Sequence, residues 1–165
     1  MSQHPIGIFD SGIGGLTVLR EVERLLPHEN LIYFGDTARV PYGTKSPRVV
    51  REFAIQAMLL LMKREVKCIV AACNTVSALA LQFLREVFRL PVIGVIDPGV
   101  RAALSLTKNG HIGVIATSAT INEHMYAHLM AGYNHHVEVK ERACPLLVPL
   151  VEEGITDGPI VEHAL

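Results

Sequence analysis

The stretch Ile6-Gly7-Ile8-Phe9, followed by Asp10-Ser11-Gly12-Ile13-Gly14-Gly15 and then Leu16–Leu26, decides the fold. Four apolar residues read as a strand buried on both faces. The Gly-rich cluster is a tight turn that needs a residue free to take φ > 0. Beyond it, Leu16, Leu19, Val22 and Leu26 fall at helical spacing. The unit is strand, turn, helix.

The same grammar recurs downstream. Leu31–Phe34, Cys68–Ala72, Val92–Ile96 and Ile112–Ala116 are short, mostly β-branched or aromatic runs. They end in Gly-Asp-Thr, Cys-Asn-Thr, Asp-Pro-Gly and Thr-Ser-Ala-Thr. Helical patterns lie between them: Pro47–Arg64 behind a Ser46 cap, Ala78–Phe88, and residues 99–107. Strands alternating with helices imply an α/β fold with parallel strands covered by helices. Two units are expected, residues 1–97 and 98–165, joined near Asp97-Pro98-Gly99.

The chain has 165 residues, 50% of them apolar, and a formal charge of −1, which excludes intrinsic disorder and argues against a general nucleic-acid binder. Three cysteines, at 68, 73 and 144, do not make a disulfide framework. The N-terminus shows no signal-peptide pattern, and the longest apolar run, Ala57–Met62, is too short for a membrane span. A soluble, cytoplasmic protein is expected. Asp157-Gly158-Pro159 reads as a helix start, with Asp157 as cap, and Ile160–Leu165 as its body. That helix stops in mid-pattern, which a fragment of a longer protein and a frayed natural C-terminal helix explain equally well.

Parallel sheets bind ligands where strands open into helices. This directs attention to Asp10, Ser11, Asp36, Cys73, Asn74, Thr75, Asp97 and Thr117. The turn at 10–15 offers backbone N–H groups, but a dinucleotide fingerprint needs Gly at 17, where Thr stands. Asp10 would also repel a phosphate. Cys73 ends a strand just before a helix, where the helix N-terminus is expected to lower its pKa and make it a base or nucleophile. Cys68 reads as structural. Arg39-Val40-Pro41-Tyr42-Gly43 reads in isolation as an ordinary turn, and Thr117 through Thr120 serve equally as a cap or a carboxylate site. His124 and His128 share i, i+4 spacing on one expected helix face, but surface histidines explain them better than a metal.

Taken together, these clusters resemble glutamate racemase of the cofactor-independent aspartate/glutamate racemase superfamily. The resemblance rests on Ile8 through Val18, Phe34-Gly35-Asp36-Thr37, Pro41-Tyr42-Gly43, Ala72-Cys73-Asn74-Thr75, Ile93–Ile96, Thr117 with Thr120, and Cys144-Pro145-Leu146 through Glu152. It implies two flavodoxin-like α/β domains, the second incomplete here. It implies interconversion of L- and D-glutamate for peptidoglycan, without pyridoxal phosphate or metal, commonly in a homodimer, with no membrane or direct nucleic-acid partner. Two cysteines would face opposite sides of the α-carbon. Cys73 matches the first, Asp10 the carboxylate that tunes it, and Glu152 an acid on the far side. Ser11, Pro41, Tyr42, Gly43, Asn74, Thr75, Thr117 and Thr120 match substrate-binding positions. The second cysteine belongs to a Gly-Cys-Thr-His motif that this sequence lacks, so residues 1–165 alone are expected not to racemise. Aspartate racemases share the fold, and a non-catalytic racemase-like binding module is the alternative of another class.

Overall fold

The computed structural model describes residues 4–164. In chain order the elements are β1 (Ile6–Asp10), α1 (Leu16–Leu25), β2 (Leu31–Gly35), α2 (Pro47–Met62), β3 (Cys68–Ala71), α3 (Asn74–Leu79), α4 (Leu81–Val87) and β4 (Val92–Gly94). They continue with α5 (Ile96–Leu106), β5 (His111–Ala116), α6 (Ser118–Asn122), α7 (Met125–Tyr133), β6 (Glu138–Ala143), α8 (Leu147–Glu152) and α9 (Pro159–Ala164).

Four strands form a parallel sheet in the order β2-β1-β3-β4, and β5 with β6 form a second parallel pair. β1 sits between its two sequence successors, so the connection after β1 runs to one side of the sheet and the connection after β3 to the other. That divergence opens a crevice at the carboxyl ends of β1 and β3, where ligands bind in such sheets. The alternation of side chains along β1 sets the layers. Ile6 and Ile8 pack with Val70 and Ala72 under Val18, Leu19 and Val22 of α1. Phe9 points the other way, into a core of Ala54, Ala57, Met58 and Leu61 from α2 with Val76 and Leu84. Fully burying side chains such as Ile8 and Phe9 stabilises by roughly 1.5–3 kcal/mol each.

Local chemistry explains the helix ends. Ser46 Oγ accepts from Val49 N at 3.4 Å and Pro47 opens α2, as its sequence implies. The Val92–Ile96 run divides: only Val92–Gly94 pair with β3, and Ile96 already opens α5, with Asp97 in its first turn. The 78–88 helix is two helices, broken at Ala80, whose φ of −131° lies outside the helical range. The first starts at Asn74, directly after the strand. Gly158, with φ of +86°, rather than Asp157, stands immediately before α9, and its carbonyl accepts from Val161 and Glu162. Leu165, expected in that helix, lies outside the described residues. His124 and His128 do not share one continuous helix: His124 takes a left-handed φ of 50° ahead of α7, and its Nδ1 meets Glu141 Oε2 at 2.5 Å. β6 carries Glu-Val-Lys-Glu-Arg-Ala, too charged to stand out as a strand. Among the described residues no helix is long and apolar enough to cross a membrane.

Candidate active site

Asp10 and Cys73 are 63 residues apart in sequence but neighbours in space, because Phe9 pairs with Ala71 and Ala72 N donates to Phe9 O at 2.8 Å. Both residues therefore leave adjacent strands at the same end. The Gly-rich turn wraps over Asp10, whose Oδ2 accepts from Gly12 N and Gly15 N, each at 3.0 Å. The positive φ expected of this turn is not what its glycines supply: none of Gly12, Gly14 and Gly15 takes one, and Gly15 sits at φ −64°. Gly15 is required for closeness instead, since a Cβ there would lie 2.5 Å from Asp10 Cβ. The N–H groups that a phosphate would need are thus engaged by the protein's own carboxylate. A third, on Ile13, donates at 3.0 Å to Glu152 Oε1, which reaches over from α8. Tyr33 OH donates to Gly12 O at 2.9 Å and ties the turn to β2.

Cys73 is buried and caps α3, and its Sγ donates to Ser11 Oγ at 3.3 Å. Its pKa is raised rather than lowered. Burial is the largest cause and the Asp10 carboxylate adds to it. Hydrogen bonds from the Ser11 side chain and from backbone N–H groups of Val76 and Ser11 oppose the rise without overcoming it. The expected helix-terminus effect is therefore outweighed: α3 has only six residues, and desolvation of a buried thiolate costs more than its N–H groups return.

Three threonines form the next wall. Thr75 Oγ1 lies 3.1 Å from Thr117 Oγ1 and 3.4 Å from Thr120 Oγ1, and the latter two are 3.0 Å apart. Thr117 also caps α6 by accepting from Thr120 N at 3.4 Å. Capping and site-building are thus compatible.

The loop at 39–43 is more than a turn. Tyr42 is buried and its hydroxyl donates to the Asp36 carboxylate, which Arg39 Nε also meets at 2.6 Å. Arg39 is anchored in turn over the Phe53 ring. Burial, then the hydrogen bond to Asp36, push the Tyr42 phenol well above its ordinary pKa. Gly43 packs so closely on Thr117 that a Cβ would overlap that side chain. The Val40–Pro41 peptide is cis.

These walls enclose a cleft of about 300 Å³. Asp10, Ser11, Tyr42, Gly43, Cys73, Asn74, Thr75, Thr117 and Glu152 all line it. Pro41 does not, and Thr120 stands behind its two partner threonines. Asp97 lies elsewhere, bonded to Arg101 and Tyr133. Neither Cys68 nor Cys144 lines the cleft, and among the described residues no lysine or arginine does. Sequence reasoning missed Tyr126. Tyr126 OH donates to Asn74 Oδ1 at 2.6 Å, a contact that no local motif announces.

Residues 6–160 match the Asp/Glu/Hydantoin racemase family. The chain belongs to that family. Among racemases similar to it, the glutamate racemase of Geobacter metallireducens is 54% identical over 155 residues, covering 94% of this chain and 57% of that protein. The glutamate racemase of Chlorobaculum parvum is 54% identical over 166 residues, covering 96% of this chain and 61% of its own length. The chain thus spans about three fifths of these relatives. The crystal structure of the Francisella tularensis glutamate racemase in complex with D-glutamate superimposes with a TM-score of 0.90 at 46% identity, over 99% of this chain and 62% of that one. The Escherichia coli glutamate racemase in complex with L-glutamate and the activator UDP-MurNAc-Ala gives 0.80 at 33% identity, over 97% and 61%. The two-domain racemase fold is therefore the one that these residues adopt, as far as they extend.

Proposed function

We propose that this chain forms one face of the active site of a cofactor-independent racemase that interconverts L- and D-glutamate. The observation that carries the reading is the buried Cys73 thiol at the divergence of β1 and β3, bonded to Ser11 beside Asp10, in a cleft that also presents the hydroxyls of Thr75 and Thr117 and the Asn74 amide. Cys73, as thiolate, takes the α-proton. The electron pair left behind moves toward the substrate carboxylate, where donors already in place stabilise the developing charge. With no lysine or arginine lining the cleft among the described residues, Thr75, Thr117, Asn74, Ser11 and the amides of Tyr42 and Gly43 fill that role, and Thr120 steadies the two threonines. Pro41 acts through the loop that it opens. Asp10 tunes the thiol, and Glu152 serves on the opposite side.

Racemisation needs a second acid on the far face of the α-carbon. We place it outside residues 1–165, as a second thiol of a longer polypeptide, since Cys73 is the cysteine that reaches this cleft. The first unit then runs to Asp97, in the first turn of α5, and the second from Pro98 onward. The longer enzyme acts in the cytoplasm as a homodimer, without pyridoxal phosphate or metal, and its D-glutamate serves peptidoglycan synthesis.

The test is exchange of the α-proton in D2O, run separately on L-glutamate, D-glutamate and aspartate with residues 1–165. Exchange of one glutamate enantiomer with retained configuration, lost in Cys73→Ala, is expected. Racemisation at a full enzymatic rate by these residues alone would overturn the one-face assignment, and exchange confined to aspartate would overturn the substrate.

A further inference from the structure

An asparagine amide is ambiguous as a recognition group. Its Oδ1 accepts and its Nδ2 donates, and the two ends have nearly the same shape. Which end faces a ligand decides whether the residue reads a carboxylate or an ammonium.

At Asn74 that choice is made from the other side of the cleft. Tyr126, the second residue of α7, lines the cleft opposite α3, and its hydroxyl donates to Asn74 Oδ1 at 2.6 Å. Burial raises the Tyr126 pKa, so the phenol keeps the proton that it donates in this contact. Asn74 Nδ2 has no acceptor among the described residues, although Asn74 is exposed on the cleft wall. Its two N–H groups are therefore available to a ligand. The chain reaches this position because His124, in its left-handed conformation and held by Glu141, turns the backbone immediately before α7.

We propose that Tyr126 is a positioning residue that fixes the orientation of the Asn74 amide, so that Asn74 presents donors to a substrate carboxylate and no acceptor to an ammonium. The inference rests on the glutamate-site reading above and adds a specificity element to it.

The experiment titrates glutamate, and glutarate as the dicarboxylate without an ammonium, into the 165-residue chain by calorimetry. Tyr126→Phe frees the amide to turn. It is expected to weaken both ligands to a similar degree, by about 3- to 10-fold, the range of one hydrogen bond. Asn74→Asp keeps an acceptor for the phenol and removes the donors, and is expected to weaken both ligands more. Weakening of glutamate alone in Tyr126→Phe, or tighter glutamate binding in Asn74→Asp, overturns the proposal, because Asn74 would then face the ammonium. So does a Tyr126→Phe chain that folds and binds both ligands as before. If Tyr126→Phe does not fold, the Asn74→Asp arm decides. Failure of the unaltered chain to bind glutamate sinks the functional reading and this proposal with it, an outcome seen before any variant is made.

Discussion

Strand β1 buries all five of its residues, whereas β6 buries none. The same contrast runs through the two sheets. The four-stranded sheet is covered on both faces, by α2, α3 and α4 on one side and α1 on the other. The β5–β6 pair rests on a small cluster of Ile96, Val100, Val114, Ile121 and Met130, and Ile115 is 57% exposed. The first region holds the thiol in a packed framework, and the second delivers polar groups from lightly buried elements: Thr117, Tyr126 and Glu152. Packing thus fixes the thiol, and directional hydrogen bonds fix what surrounds it.

Substitutions on either side put this contrast to the test. The largest effect is expected in the first region, where Cys73→Ala lowers α-proton exchange by at least about 100-fold, the scale of a lost general base. NMR of deuterium incorporation measures it. Stability should divide in the same way. Phe9→Ala, in the packed core, is expected to cost about 3–5 kcal/mol in urea unfolding, against no more than about 0.5 kcal/mol for Ile115→Ala on the exposed strand. Equal costs would erase the distinction between the two regions. At their seam, Gly43→Ala forces a methyl group against Thr117 and should cost about 1–3 kcal/mol while loosening the threonine wall.

The thiol reports the electrostatics of the junction. Alkylation of Cys73 requires the thiolate. Because burial and Asp10 raise its pKa, the rate should climb with pH through a midpoint above the ordinary 9.0. Asp10→Asn removes a repelling charge and should move that midpoint down. Ser11→Ala removes a bond that favours the thiolate and should move it up. A midpoint below 9.0 in the unaltered chain would restore the helix-terminus expectation. A small effect, of the same order as at Ile115, is expected for Glu152→Gln, whose neutral oxygen still accepts from Ile13 N, so urea unfolding should change by no more than about 0.5 kcal/mol.

Much of this was legible in the residues. Apolar runs ending in small polar clusters marked five of the six strands and the carboxyl-end crevice, because buried parallel strands need continuous apolar sequence. β6 escaped because its outer face is wet and its residues are charged. The break at Ala80 and the early start of α5 escaped because they depend on where β3 and β4 end, which packing settles.

Local residue order settled the α/β class, the Gly-rich strand-to-helix turn behind Asp10, and Cys73 as the residue to watch, since strand ends and helix starts are local facts. The fold in three dimensions is what lets Asp10 rather than a ligand occupy the turn's N–H groups, lets burial outweigh the helix terminus at Cys73, and lets Asp36 hold Tyr42. It alone decided that Tyr126 sets Asn74 from across the cleft. Each of these depends on groups brought together by the parallel register and by the fold of one region over the other. No local pattern of residues encodes a distance between them.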